Sequence, residues 1–206
     1  MGRTAGATAA GTTERLLRAA ADVFAARGYD GTRVTDIAVG AGLSNGALYA
    51  YFGSKAELLV AALRAHGRRL LSDLVEAEPD RSITDLLLVT GRRLRRRRDA
   101  DGWLVIEALV AARRDEDVAG PMRGYVRERI DWLADLVRQA QDRGELDPVL
   151  PPSAVAHFCL SLAVGTALVG PDLDDVDDAA WSAFLARLVT ALGPGELAPA
   201  QNGTAP

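Results

Sequence analysis

Two tyrosines, Tyr49 and Tyr51, stand in the stretch SNGALYAYFGSK, residues 44–55, among side chains that are mostly very small. A phenolic hydroxyl can hydrogen-bond a phosphate oxygen without carrying charge, and the carboxamide of Asn45 carries the donor and acceptor pair that matches an adenine edge. Ala47 can touch a thymine methyl. Just upstream, Gly40, Gly42 and Gly46 offer a rival chemistry, a glycine loop that cradles a phosphate. Such a loop needs a strand before it, a helix of several turns after it and an acidic residue closing a second strand. None of these is present: Val34, Ile37, Ala38 and Ala41 follow helical spacing, and another helix begins after Tyr51. The glycine loop is therefore rejected in favour of two short helices joined at Gly42.

At about 100° per residue, Leu48 and Phe52 share one face of the third helix and can anchor it, while Gly46, Ala47 and Ala50 occupy the opposite face. Tyr49 and Tyr51 project from the two flanks. A helix with a bare outer face can enter a major groove while hydroxyls on its flanks reach the phosphates.

The elements that must hold this helix are helical too. Apolar residues recur at helical spacing along nearly the whole chain and the alternation of strands is absent, so the fold class is all-α. Leu16, Ala20, Val23 and Phe24 line a first helix that should end near Gly28. Thr32 or Thr35 can cap the second, Gly42 closes it, and Ser44 caps the third. Ser54 with Glu57 spells a capping box for a long fourth helix running to about Ala77, before Pro79. Further helices are predicted near 82–99, 102–115, 119–143, 152–169 and 176–192, with Pro121 and Pro152 at helix starts and Gly144 and Gly170 at helix ends.

The formal net charge is −4, too acidic for a general coat on nucleic acid, but the charge is unevenly distributed. Residues 1–70 hold nine Lys and Arg against five Asp and Glu, and the remainder holds fifteen against twenty-three. A basic N-terminal unit thus precedes an acidic one, as expected where only the first meets a polyanion. No apolar run is long enough for a bilayer and the N-terminus lacks the apolar core of a signal peptide, so a cytoplasmic location without membrane contact is expected. The single cysteine, Cys159, lies in the apolar segment AVAHFCLSLAVG and reads as a small buried hydrophobe.

The segment GYDGTRVTDIAVGAGLSNGALYAYFGSKAELL resembles the DNA-binding signature of the TetR family of bacterial one-component transcriptional regulators, without a gap from about Leu16 to Leu59. The resemblance implies a helix-turn-helix whose recognition helix spans Ser44 to Tyr51, linked by the fourth helix to a C-terminal ligand-binding and dimerisation domain. Residue by residue, Tyr49, Tyr51 and Lys55 match phosphate-contacting positions. Thr35, Ser44, Asn45, Gly46 and Ala47 match positions that face the bases, and Thr32 caps the second helix near the DNA backbone. Arg33 stands where threonine is common and adds a candidate phosphate contact. Gly40 replaces a polar helix former at a cost of roughly 1 kcal/mol relative to alanine, and Tyr51 takes a place where histidine is frequent. The expected partners are a double-stranded DNA operator, a small-molecule effector and a second copy of the chain.

The C-terminal half carries no signature of similar strength. Residues 154–169 are apolar nearly all round, so this helix needs partners on several sides. In TetR-like proteins the last two long helices pair with their twins, which makes Leu162, Gly165, Val169, Trp181, Phe184 and Leu188 candidates for a dimer interface. Trp181, Phe184, Leu185 and Leu188 read as one stripe. Candidates for an effector pocket are Trp103, Ile106, Leu109, Met122, Tyr125, Trp132 and Phe158, each equally readable as core. Glu107, inside WLVIEALVAA, reads either as a selector of a cationic ligand or, more readily, as the partner of Arg92 or Arg93. His157 reads as a core or interface residue. The run GRRLRRRR, residues 91–98, fits a helix C-terminus with the following DADG as partners, or else a greeting for an anionic effector. DLDDVDD, residues 172–178, fits a helix N-terminus without a metal.

The expected organisation is a mobile N-terminus at 1–11, a helix-turn-helix domain at 12–58, an effector-binding and dimerisation domain at 59–192 and a mobile tail at 193–206. Two histidines, one cysteine and no acid/base motif argue against an enzyme, and no catalytic residue, metal site or cofactor is assigned. The reading is a homodimeric repressor released from a palindromic operator by an effector. The rivals are a ligand-responsive activator and an effector-independent DNA-binding protein.

Overall fold

The computed structural model describes residues 3–67, 70–96, 100–169 and 176–195. Among them lie ten helices: α1 (Arg3–Gly31), α2 (Val34–Gly40), α3 (Asn45–Tyr51), α4 (Lys55–His66), α5 (Leu70–Ala77), α6 (Ile83–Arg96), α7 (Ala100–Ala111), α8 (Glu116–Asp142), α9 (Pro152–Leu168) and α10 (Asp178–Ala191). No strand is present among the described residues, so the all-α expectation holds. None of these helices is long and apolar enough to cross a membrane.

The chain divides into two compact units, one of residues 1–69 and 98–128, the other of residues 70–97 and 129–206. In the first, Leu16, Ala20 and Phe24 of α1 pack with Ile37 of α2, Leu48 of α3, Leu58 and Leu63 of α4, and Leu104 and Met122 of α7 and α8. The i, i+4, i+8 spacing of the α1 residues puts them on one stripe, which is why a single helix can serve as the spine of this core. The second unit gathers Leu71 and Leu74 of α5, Ile83 and Leu86 of α6, Leu133 and Val137 of α8, and Val155 and Ala156 of α9. Packing thus groups α4, α7 and the start of α8 with α1.

Three local expectations are corrected. The long fourth helix stops at His66, because Gly67 turns to extended geometry (φ −64°, ψ 157°). A Cβ there would stand 2.3 Å from the Leu63 carbonyl oxygen, so the position has no room for a side chain. Pro121 lies inside α8 rather than at its start, since the helix begins at Glu116, with Asp115 Oδ1 accepting from the Asp117 N–H (2.9 Å). The stripe of α10 is split: Leu185 is buried whereas Phe184 is 58% exposed.

Other signals fall where they were read. Pro152 opens α9, and Gly144 ends α8 at φ 71° with Glu145 N–H donating to Ala140 O (2.8 Å). Asp177 caps α10 by accepting from the Ala180 N–H (2.7 Å). Gly170, the aspartates at 172–175, Arg97, Arg98 and the tail from 196 lie outside the described residues. Cys159 is half-buried against the second core, and burial pushes its thiol up to about 11.

Candidate nucleic-acid interface

The turn between α2 and α3 is set by one glycine. Gly42 sits at φ 68°, a conformation that costs other residues about 1–2 kcal/mol. There its N–H donates to Val39 O (3.0 Å) and the Leu43 N–H to Ala38 O (2.8 Å), the paired bonds that close a helix and redirect the chain. Ser44 then starts α3 by accepting from the Ala47 N–H (3.2 Å).

Seven residues form only two turns, too few to hold a helix by backbone bonds alone, so α3 depends on its anchors. Leu48 and Phe52 supply them, both buried in the first core. The other side is open: Asn45, Gly46 and Ala50 are exposed, Ala47 is half-buried, and a Cβ built on Gly46 would meet nothing within 4 Å. Tyr49 and Tyr51 flank this face, 55% and 39% exposed, and neither hydroxyl bonds a described residue. Arg33 and Thr35 are exposed at the start of α2.

Three of the sequence-assigned contacts are occupied within the chain. Thr32 is only 3% exposed, and its hydroxyl donates to Gly28 O (2.6 Å). It does not cap α2, whose N-cap is Arg33 without a side-chain bond. The hydroxyl of Ser44 already serves the α3 cap. Lys55 lies half-buried, its ammonium donating to Tyr29 O (2.8 Å) and Thr32 O (3.2 Å) and standing 4.1 Å over the Tyr29 ring. The capping box of α4 is offset as well: Ser54 accepts from the Glu57 N–H (3.0 Å), but Glu57 accepts from the N–H of Gly53 (2.8 Å) rather than that of Ser54.

Sequence reasoning missed Tyr29 and Asp115. Helical geometry breaks at Gly28 (φ 72°, ψ 170°), and the freed Tyr29 N–H donates to Glu107 Oε2 (3.2 Å). One oxygen of Glu107 is thus engaged by backbone rather than by Arg92 or Arg93, which are exposed. The Tyr29 hydroxyl donates to Asp115 Oδ2 (3.1 Å). Burial, then the Asp115 bond and the nearby carboxylates of Asp115, Asp117 and Asp30, push the phenol up to about 12. The only available sequence signal was an aromatic directly after a helix-ending glycine.

The effector-pocket candidates belong to both cores. Met122 and Tyr125, with Leu109, pack in the first core, whereas Trp132 packs in the second, with the Arg129 guanidinium 5.1 Å from its ring centroid. Ile106 is buried, but Trp103 and Phe158 are about half exposed. Of the interface candidates, Gly165, Val169 and Phe184 are exposed, while Leu162 and Leu188 are half-buried. Trp181 is half-buried and donates its indole N–H to Gly91 O (3.2 Å). His157 is exposed on the single chain, hence not a core residue, and Arg92 and Arg93 are exposed.

A short anchored helix with an open face, presented by a second helix across a glycine turn, defines a helix-turn-helix protein. Residues 16–62 match the model for bacterial regulatory proteins of the TetR family. The chain is 30% identical over 158 residues to the HTH-type transcriptional regulator YfiR of Bacillus subtilis, covering 73% of this chain and 75% of that protein. It is 25% identical over 182 residues to the HTH-type transcriptional regulator UidR of Escherichia coli, covering 88% and 91%. A crystal structure of a TetR-family regulator from Rhodococcus sp. superposes with a TM-score of 0.76 at 25% identity, over 88% of this chain and 98% of that one. The chain belongs to the TetR family and is a DNA-binding transcriptional regulator, not an enzyme.

Proposed function

We propose that the protein is a homodimeric repressor that holds a palindromic double-stranded operator and leaves it when a small-molecule effector binds. What carries the reading is that one chain exposes two unlike surfaces, the bare face of α3 and the apolar residues Phe158, Leu168, Val169 and Phe184 of the last two helices. On this reading Thr35, Asn45, Gly46 and Ala47 face the bases while Arg33, Tyr49 and Tyr51 reach phosphates. Thr32, Ser44 and Lys55 support them from behind. Residues 12–58 act as the DNA-binding domain and 59–192 as the effector and dimerisation domain, in a protein that works in the cytoplasm.

Leu162, Gly165, Val169, Phe184 and Leu188 form the paired surface, with Trp181 bonding α10 to α6 beneath it. Pairing sets two α3 helices one or more DNA turns apart, about 34–36 Å per turn, and an effector that alters this separation weakens DNA binding. By linkage, DNA weakens effector binding by the same factor.

The test places a duplex, selected by the intact protein from a randomised pool, across the start of a reporter gene. Expression should fall when the protein is made and recover with a compound from a broad small-molecule collection. A rise on protein production alone would make it an activator. Repression that no compound relieves would leave an effector-independent DNA-binding protein.

A further inference from the structure

The TetR-family match ends at residue 62, yet the bend that leads from α1 into α2 is held by two carboxylates from beyond it. Glu107 of α7 takes the Tyr29 N–H and Asp115, ahead of α8, takes the Tyr29 hydroxyl. Gly28 admits this arrangement twice over, by its positive φ and because a Cβ there would lie 3.0 Å from Glu107 Oε2. From the other side Lys55 bonds Tyr29 O and covers the ring, and the Phe24 ring stacks on Tyr29 at 6.0 Å. Tyr29 is thereby held at its N–H, carbonyl, ring face and hydroxyl, only 7% exposed.

We propose that Glu107 and Asp115 are positioning residues for DNA binding: they fix the Tyr29 bend, and with it the direction in which α2 and α3 leave α1. Bonds to charged groups contribute more than neutral ones, and both carboxylates reach a site shielded from water. Both carboxylates are engaged by Tyr29 and neither is assigned a DNA contact, so their effect falls on complexes that need α3 in one orientation. Specific major-groove contacts need it, whereas loose electrostatic attachment to any duplex does not. The inference rests on the DNA-binding reading of α3.

The experiment titrates a selected duplex and a scrambled duplex of equal length with the parent, Glu107→Ala, Glu107→Gln and Tyr29→Phe, alongside thermal melts. Glu107→Ala and Tyr29→Phe should each lose about tenfold in affinity for the selected duplex and less than about twofold for the scrambled one, scaled to one charge-assisted bond. Glu107→Gln keeps an acceptor for the Tyr29 N–H and should recover most of the loss. Equal losses on both duplexes, or none on either, would overturn the proposal. Should Glu107→Ala fail to fold, Tyr29→Phe, which deletes one oxygen atom, decides by the same criterion. Failure of the parent to enrich any duplex from the pool would instead defeat the reading of α3 as a DNA reader.

Discussion

Helices α3 and α9 are both poor in charged side chains, for opposite reasons. The outer face of α3 is nearly empty, with Gly46 and Ala50 exposed between two tyrosines. That of α9 carries apolar bulk at Phe158, 48% exposed, and at the exposed Leu168, beside His157, Ser161 and Gly165. An empty face suits a partner that brings its own hydrogen-bonding groups and needs only close approach, as the major groove does. Exposed apolar bulk suits a partner of the same kind, because burying it contributes about 25 cal/mol per Å² before the costs of association are met. A lack of charge therefore marks two different surfaces, and side-chain volume distinguishes them.

Filling the empty face should have the largest effect. Gly46→Leu has open space in the free protein and should leave the melting temperature within a few degrees. It should weaken binding to a selected duplex by on the order of a hundredfold, because displaced groove contacts contribute about 1–3 kcal/mol each. Unchanged affinity would put α3 outside the groove. Charging the apolar surface of the last two helices comes next: Phe184→Glu on α10 should weaken self-association by about 2 kcal/mol or more, the scale of a central aromatic anchor. Sedimentation should then show monomer where the parent is dimeric.

Two smaller changes separate the parts of α3. Tyr49→Phe should weaken all duplexes alike by about 1 kcal/mol, the usual net contribution of one hydrogen bond. Asn45→Ala should relax preference at a single base pair, and equal losses on selected and scrambled duplexes would contradict that role. The smallest effect is expected of Gly40→Ala, where a new Cβ would meet only the Ala19 Cβ at 3.6 Å. It should stabilise the fold by about 0.5–1 kcal/mol, read as a raised unfolding midpoint in urea, with DNA binding unaltered.

The same contrast explains what could be read from the chain. The α2–α3 unit was legible because local rules determine it: Gly42 at a left-handed turn, Ser44 at a cap, and Leu48 and Phe52 one turn apart. The fourth helix stops at Gly67, where the backbone turns extended, and periodicity does not show whether a helix passes through a lone glycine or ends there. Tyr29, Glu107 and Asp115 were invisible as a group, because bonds spanning 78 and 86 residues leave no trace in spacing. Lys55 reads as a phosphate contact by the family resemblance, which does not reveal the carbonyls of Tyr29 and Thr32 that its ammonium bonds. The pocket candidates are hard to single out for a related reason, since a wall residue and a core residue have the same composition.

The most direct test of α3 as a DNA reader titrates the parent protein on a selected duplex and on a scrambled duplex of equal length, at two salt concentrations. The expected result is a saturable preference for the selected duplex of at least about a thousandfold, retained at the higher salt. Equal affinity for both duplexes, falling together as salt rises, would mean that charge alone binds DNA and would contradict the role assigned to α3.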